Sequence, residues 1–244
     1  MYYAGGSLKI GRHKLRRIIL ESLTGRRLER VSKRIVYDIF EYLIDEEVRN
    51  AFNSKGQIAF VVETELPKNL TWLRRVIVRM NPSQGFNSSA RYEYDLGATD
   101  EERKNSDLIV DLFMPSDYTV QEISKFRYSI ESDVRHELEH SGQSTSDLMA
   151  LQKTIKTEKD IWSSLSNAFA YYAANVETPA YASGWVLKAK RTGQDVYDIA
   201  YQELYRIYAT GLDEGYEEAD MANFMNKLSK LYYNYIQARW PRMS

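Results

Sequence analysis

His136-Glu137-Leu138-Glu139-His140 sets two imidazoles four residues apart, with a carboxylate directly after the first. On a helix, residues at that spacing stand one above the other, so both rings can reach one cation while Glu137 is presented beside it. This is the donor set of a zinc hydrolase, with two histidine ligands and a glutamate that takes a proton from water. Only three histidines occur in 244 residues, so a chance match of this pattern is unusual. A catalytic zinc keeps three protein ligands and one open position, and the third must come from elsewhere in the chain. No histidine follows His140 and the sequence has no cysteine, which leaves a carboxylate. Ser146 and Gln143 stand where the H-E-x-x-H-x-x-G-x-x-H pattern requires histidine and glycine, so the metzincin arrangement is excluded. The strongest candidate is Glu177, 37 residues beyond His140 in Asn175-Val176-Glu177-Thr178-Pro179-Ala180-Tyr181-Ala182, with Glu158 and Asp160 as alternatives. A carboxylate at the start of a helix also has a plain use, balancing the helix dipole. Tyr181 lies one helical turn beyond Glu177 and is the first choice to donate to an oxyanion, with Tyr172 second. Arg135 adjoins the first ligand but leaves the helix in another direction, as a structural or substrate-steering group.

The elements that must position these groups are readable in part. Thr119 and Glu122 form a capping box, which starts a helix well before the histidines. Ile123, Ile130, Val134 and Leu138 recur at helical spacing and mark its core face, leaving His136 and His140 on another. Gly142 is the expected stop. Upstream, 57–66, 73–80, 91–96 and 107–114 read as strands, and the Asn-, Ser- and Gly-rich stretch 81–90 reads as a loop. A strand beside the motif helix would bind a substrate backbone by sheet extension. Residues 8–23 predict a short basic helix broken at Gly25, and 26–50 an amphipathic docking helix with Leu28, Val31, Ile35, Ile39, Leu43 and Val48 on its apolar stripe. After the motif, 144–157 is polar and reads as a flap or short helix. Helices are then expected over 158–174, 176–190, 195–210 and 217–239, with Asn175 as the cap that makes Pro179 acceptable in a first turn. Most of the 19 tyrosines are expected at the core boundary with their hydroxyls outward.

Composition bounds the class. With 43% hydrophobic and 27% charged residues the chain can build one substantial core. No apolar run approaches the roughly 18 residues that cross a bilayer, and the N-terminus lacks the apolar stretch of a signal peptide, so a cytoplasmic or virion-associated location is expected. Disulfides and thiolate metal sites are excluded. The net charge is only -1, yet Lys9, Arg12, Lys14, Arg16, Arg17, Arg26, Arg27, Arg30, Lys33 and Arg34 crowd one end against Glu21 and Glu29. This arm is expected either to be a solvated helix face or to meet an acidic surface, which could be nucleic acid, another protein or the chain's own body.

With its Arg135-His136-Glu137-Leu138-Glu139-His140-Ser141-Gly142-Gln143 and its Glu177-Thr178-Pro179-Ala180-Tyr181-Ala182, the chain resembles the gluzincins, zinc peptidases whose third ligand is a glutamate on a later helix. It is also similar to small bacteriophage proteins classed as peptidases. The resemblance covers about 107–190, and its motif residues carry it. It implies an α+β, zincin-like fold with a small, mostly antiparallel sheet on the H-E-x-x-H helix and a largely helical C-terminal half. The expected division is a basic helical region over 1–50 and a zincin-like metallopeptidase domain over 51–244. The implied activity is zinc-dependent hydrolysis of peptide bonds, with His136, His140 and Glu177 as ligands and Glu137 as general base to the metal's water. Two other readings stand beside it: a virion structural or assembly protein that keeps the fold without hydrolysis, including self-association, and a nucleic-acid-associated protein acting through its basic arm.

Overall fold

The computed structural model describes residues 12–62, 73–93, 106–140 and 158–241, with side chains described from Arg27 in the first stretch and from Asp160 in the last. The expectations for 144–157 and for the Gly142 stop concern residues outside these, as do those for the side chains of the arm up to Arg26.

Helix α1 spans Arg12–Ile44 and runs without a break through Gly25. The expected interruption there is a correction: glycine in a helix costs only about 1 kcal/mol, and the Arg, Leu and Glu residues flanking Gly25 are good helix formers. The helix stops instead before Asp45, which caps α2 (Glu46–Lys55) by accepting from the amides of Glu47 and Val48. Leu28, Val31, Ile35, Ile39 and Leu43 are all buried against the sheet and the motif helix. Each such side chain contributes about 1.5–3 kcal/mol of apolar burial, so α1 is an integral wall of the core from Leu28 onward. Tyr42 stacks on Phe60 at 5.1 Å and ties α1 to the first strand.

Four strands follow: β1 Ile58–Val62, β2 Leu73–Pro82, β3 Asn87–Glu93 and β4 Ser106–Met114. Their order is β1-β2-β4-β3, with β1/β2 and β3/β4 antiparallel and β2/β4 parallel. The sheet is therefore mixed. The loop expected over 81–90 shrinks to 83–86, because Asn87-Ser88-Ser89-Ala90 joins β3 at the sheet edge. Polar residues with weak strand preference are held there by their register on β4, Ser88 opposite Leu112 and Ala90 opposite Val110. Asp107 on β4 accepts from both Arg74 and Arg75, at 2.6–3.2 Å, across the strand pair.

Helix α3, Val120–His140, lies on the face carrying Val78, Met80, Val110 and Leu112. Its capping box is present, with the Thr119 amide donating to Glu122 Oε2 at 2.8 Å and the Glu122 amide to Thr119 Oγ1 at 3.2 Å. The Tyr118 hydroxyl donates to the Leu43 carbonyl at 2.6 Å, fastening the start of α3 to the end of α1.

The C-terminal part is helical: α4 Glu158–Ile161, α5 Leu165–Tyr172, α6 Glu177–Thr192, α7 Val196–Asp213 and α8 Glu218–Arg239. The single helix expected over 158–174 is split, because Ser164 turns extended and caps α5 by accepting from the Asn167 amide. These helices enclose a second core rich in aromatic residues, including Trp185, Phe224 and Tyr232. Helix α6 packs along α3 and so joins the two cores. The architecture is α+β, with a small mixed sheet and a mostly helical remainder.

Candidate metal centre at the seam between two cores

The seam between α3 and α6 brings together residues far apart in sequence. His136 and His140 leave α3 on one side while Leu138 is wholly buried on the other, as their spacing requires. Glu177 is the first residue of α6. Val176 precedes it without a side-chain cap, so Asn175 is not the cap. Pro179 is the third helical residue, where its missing N–H is one of those with no partner inside the helix.

His136 Nε2 and His140 Nε2 are 3.1 Å apart, and Glu177 Oε2 is 3.5 Å from the first and 3.6 Å from the second. The two rings lie edge to face. Three atoms with lone pairs converge here inside the protein, the side chains being 14%, 10% and 6% exposed. Glu177 Oε2 is buried without a hydrogen-bond partner, which is costly for a carboxylate unless a cation faces it. A triangle with sides of 3.1, 3.5 and 3.6 Å has a point about 2.0 Å from all three corners, which is the length of a Zn–N or Zn–O bond. Among the described residues, these three form the group of histidine and acidic side chains close enough to hold one metal ion. Asp160 is not part of it, and the side chain of Glu158 lies outside the described residues.

Burial, with the neighbouring His140 and Arg135 adding to it, pushes the pKa of His136 well below its ordinary value, so its ring is the neutral form that donates a lone pair. Glu137 is not in the triangle. Its Oε1 is 3.6 Å from His136 Nε2, and its carboxylate accepts from the backbone amide of Tyr92 on β3. Burial pushes Glu137 up to about 7, and Glu177 and Asp133 push the same way while His140 and the Tyr92 amide pull against them. A base held near neutrality can both take and return a proton.

The ring of Tyr181 packs edge-on to His136 at 4.3 Å between centroids, and its hydroxyl is paired with Tyr171. Burial raises the pKa of Tyr181 and of Tyr171 well above 10 and that of Tyr172 to about 12, so all three keep their protons at neutral pH. Arg135 is 5% exposed and pairs with Glu139 at 2.5 Å, one turn along α3. It is not among the residues that line the cleft.

A cavity of about 340 Å³ opens beside the triangle. Its lining takes in Asn87–Ala90 of β3, His136 and Glu137 of α3, Tyr171 of α5 and Tyr181 of α6. The amide of Tyr92 points away from β4 toward Glu137, so by strand alternation the amides and carbonyls of Ala90 and Ser88 face the same edge, which pairs with no strand among the described residues. The Ser88 amide is taken by the Asn87 side chain at 3.0 Å.

Sequence reasoning left out Asp133, Ser88 and the charged group Lys188, Glu203 and Arg206, which also line this cavity. Asp133 had a signal: it precedes His136 by three residues and Glu137 by four, and so shares their face of α3. The others are brought together by the pairing of β3 and the packing of α6 on α7, which no local pattern announces. No family model, no curated protein and no solved structure matches this chain.

Proposed function

We propose that the chain is a zinc-dependent metallopeptidase of zincin-like fold and gluzincin type. The observation that carries this reading is the convergence of His136 Nε2, His140 Nε2 and Glu177 Oε2 on one point, with Glu137 beside them and a cleft in front. A zinc ion at that point supplies Lewis acidity, which activates water and polarises a substrate carbonyl. Glu137 accepts the water proton at its carboxylate and delivers it to the leaving amine. The Tyr92 amide orients that carboxylate. Tyr181 and Tyr171, both protonated and paired with each other, leave one of their two O–H groups to donate to the oxygen on which negative charge develops. The outer edge of β3, with the Ala90 amide and carbonyl at its centre, aligns an extended substrate backbone by strand addition. Binding through backbone groups admits many sequences, so selectivity falls to the side chains that line the cleft.

The test is cleavage of unfolded protein or mixed peptides by purified, zinc-loaded protein. Glu137→Gln keeps one bound zinc and loses cleavage, and a chelator abolishes wild-type cleavage until zinc is restored. Undiminished hydrolysis by Glu137→Gln refutes the assignment.

A further inference from the structure

Beyond the metal triangle, the cleft ends in a second polar group that the reaction does not use. Asp133 stands one turn before His136 and Glu137 on the same face of α3, with about 5–6 Å between Cβ atoms at such spacing. Among the described residues, its direct hydrogen-bond partner is the hydroxyl of Ser88 on β3. The nearest cations are engaged elsewhere: Lys188 Nζ bonds Glu203 at 2.9 Å, and Arg206 bonds the same carboxylate at 2.9 Å. The surplus positive charge of that trio rests on Arg206, whose side chain is 63% exposed and screened by solvent. Asp133 lines the same cavity with one hydroxyl as its partner, and burial pushes its carboxyl up to about 7, so that it is a full carboxylate only above that pH. Phe86 and Phe126, with rings 5.4 Å apart, Trp185 and Ile207 form apolar walls around it. Apolar walls leading to a carboxylate suit a side chain with a methylene stem and a cationic head.

We propose that Asp133 is a specificity-determining residue that receives the guanidinium or ammonium of an arginine or lysine beside the scissile bond. This rests on the peptidase reading above and deepens it. A cationic head gives the Asp133 carboxylate a charged donor it otherwise lacks. A neutral side chain of the same shape leaves that carboxylate desolvated, and an acidic one adds repulsion, so discrimination comes from rejection as much as from attraction.

The test compares two blocked peptides that differ in one residue, arginine or its neutral isostere citrulline. Calorimetric binding to the metal-free protein above about pH 8, where Asp133 is ionised, is expected to favour the arginine peptide about ten- to hundredfold, the range that a hydrogen bond to a charged group spans. Asp133→Asn is expected to remove the difference. In the zinc-loaded protein, the kcat/KM ratio of the two peptides follows the same preference and collapses toward one in Asp133→Asn. Equal binding of both peptides to the wild type overturns the proposal without need of the variant, as does a preference that survives Asp133→Asn. If both peptides are cut equally, charge selection is refuted and the peptidase reading stands. If neither is cut while the Asp133-dependent preference in binding persists, the peptidase reading fails and the cation site stands.

Discussion

Gly184→Ala is a substitution in which two effects of known size compete, and the structure decides between them. Gly184 is seven residues after Glu177 on α6, on the face that meets α3. A Cβ added there would lie 2.8 Å from Ser132 Oγ and 2.9 Å from the Ser132 carbonyl oxygen. In an open helix interior the change gains about 1 kcal/mol from propensity. Here the hydroxyl can rotate away, but the carbonyl belongs to the backbone of α3, and relieving it to an ordinary contact of 3.4 Å opens the helix pair by about 0.5 Å. Overpacking of this kind costs about 1–3 kcal/mol, so the net is a loss on the order of 1 kcal/mol, or about 2–4 °C in Tm for a chain of this length. The same movement lengthens the two Glu177 edges of the metal triangle from 3.5 and 3.6 Å. If both grow by about 0.5 Å, the common point moves to about 2.2 Å from each atom, the upper limit for zinc, and zinc affinity falls. Thermal unfolding of the metal-free protein and a competitive zinc titration measure the two effects separately. A Gly184→Ala protein with a raised Tm and unchanged zinc affinity would refute the close approach of α3 and α6 on which the site depends.

Glu177→Gln should weaken zinc binding more than roughly a hundredfold, since even partners one step removed from a metal are worth 10–100-fold. Zinc at about a hundred times its Kd should stabilise the wild type by about 2.7 kcal/mol, raising Tm by about 5–11 °C, and much less for the variant in differential scanning fluorimetry. Asp107, held by Arg74 and Arg75, has its pKa depressed chiefly by those hydrogen bonds. Its contribution is complete above the ordinary carboxylate pKa and is lost as pH falls below about 4, so Asp107→Asn should destabilise by about 1–2 kcal/mol at pH 7 and progressively less in acid, followed by urea unfolding against pH. Tyr118→Phe leaves the Leu43 carbonyl without its buried donor and should cost about 1–3 kcal/mol at neutral pH in the same assay. Burial pushes the Tyr118 hydroxyl up to about 12, so the wild-type advantage persists at neutral pH and shrinks as pH rises above about 10, where only the unfolded state ionises.

Local chemistry was legible in the sequence and non-local register was not. The capping box at Thr119 and the stripe through Leu138 place the motif helix correctly, and the apolar run ending at Met114 forms the central strand β4. Glu177 could be nominated as a ligand because its competitors were few. Its arrival beside the histidines depends on α6 packing along α3 through Gly184, a contact between residues 52 positions apart in sequence. Asn87–Ala90 reads as loop in the sequence yet joins the β3 edge, because strand preference there is weak and pairing supplies the order. Gly25 and Ser164 show the converse, glycine being a weak breaker inside a long helix and serine a strong cap where the chain can turn. The parallel pairing of β2 with β4 has no local signal at all.

In the proposed site one metal ion is held by two imidazoles and one carboxylate. X-ray absorption at the zinc edge on protein loaded with one equivalent tests it most directly. The expected spectrum has four or five nitrogen and oxygen neighbours at about 2.0–2.2 Å, an imidazole signature for two rings, and loss of one imidazole in His140→Ala. A spectrum of hydrated zinc, or one with no imidazole contribution, would contradict it.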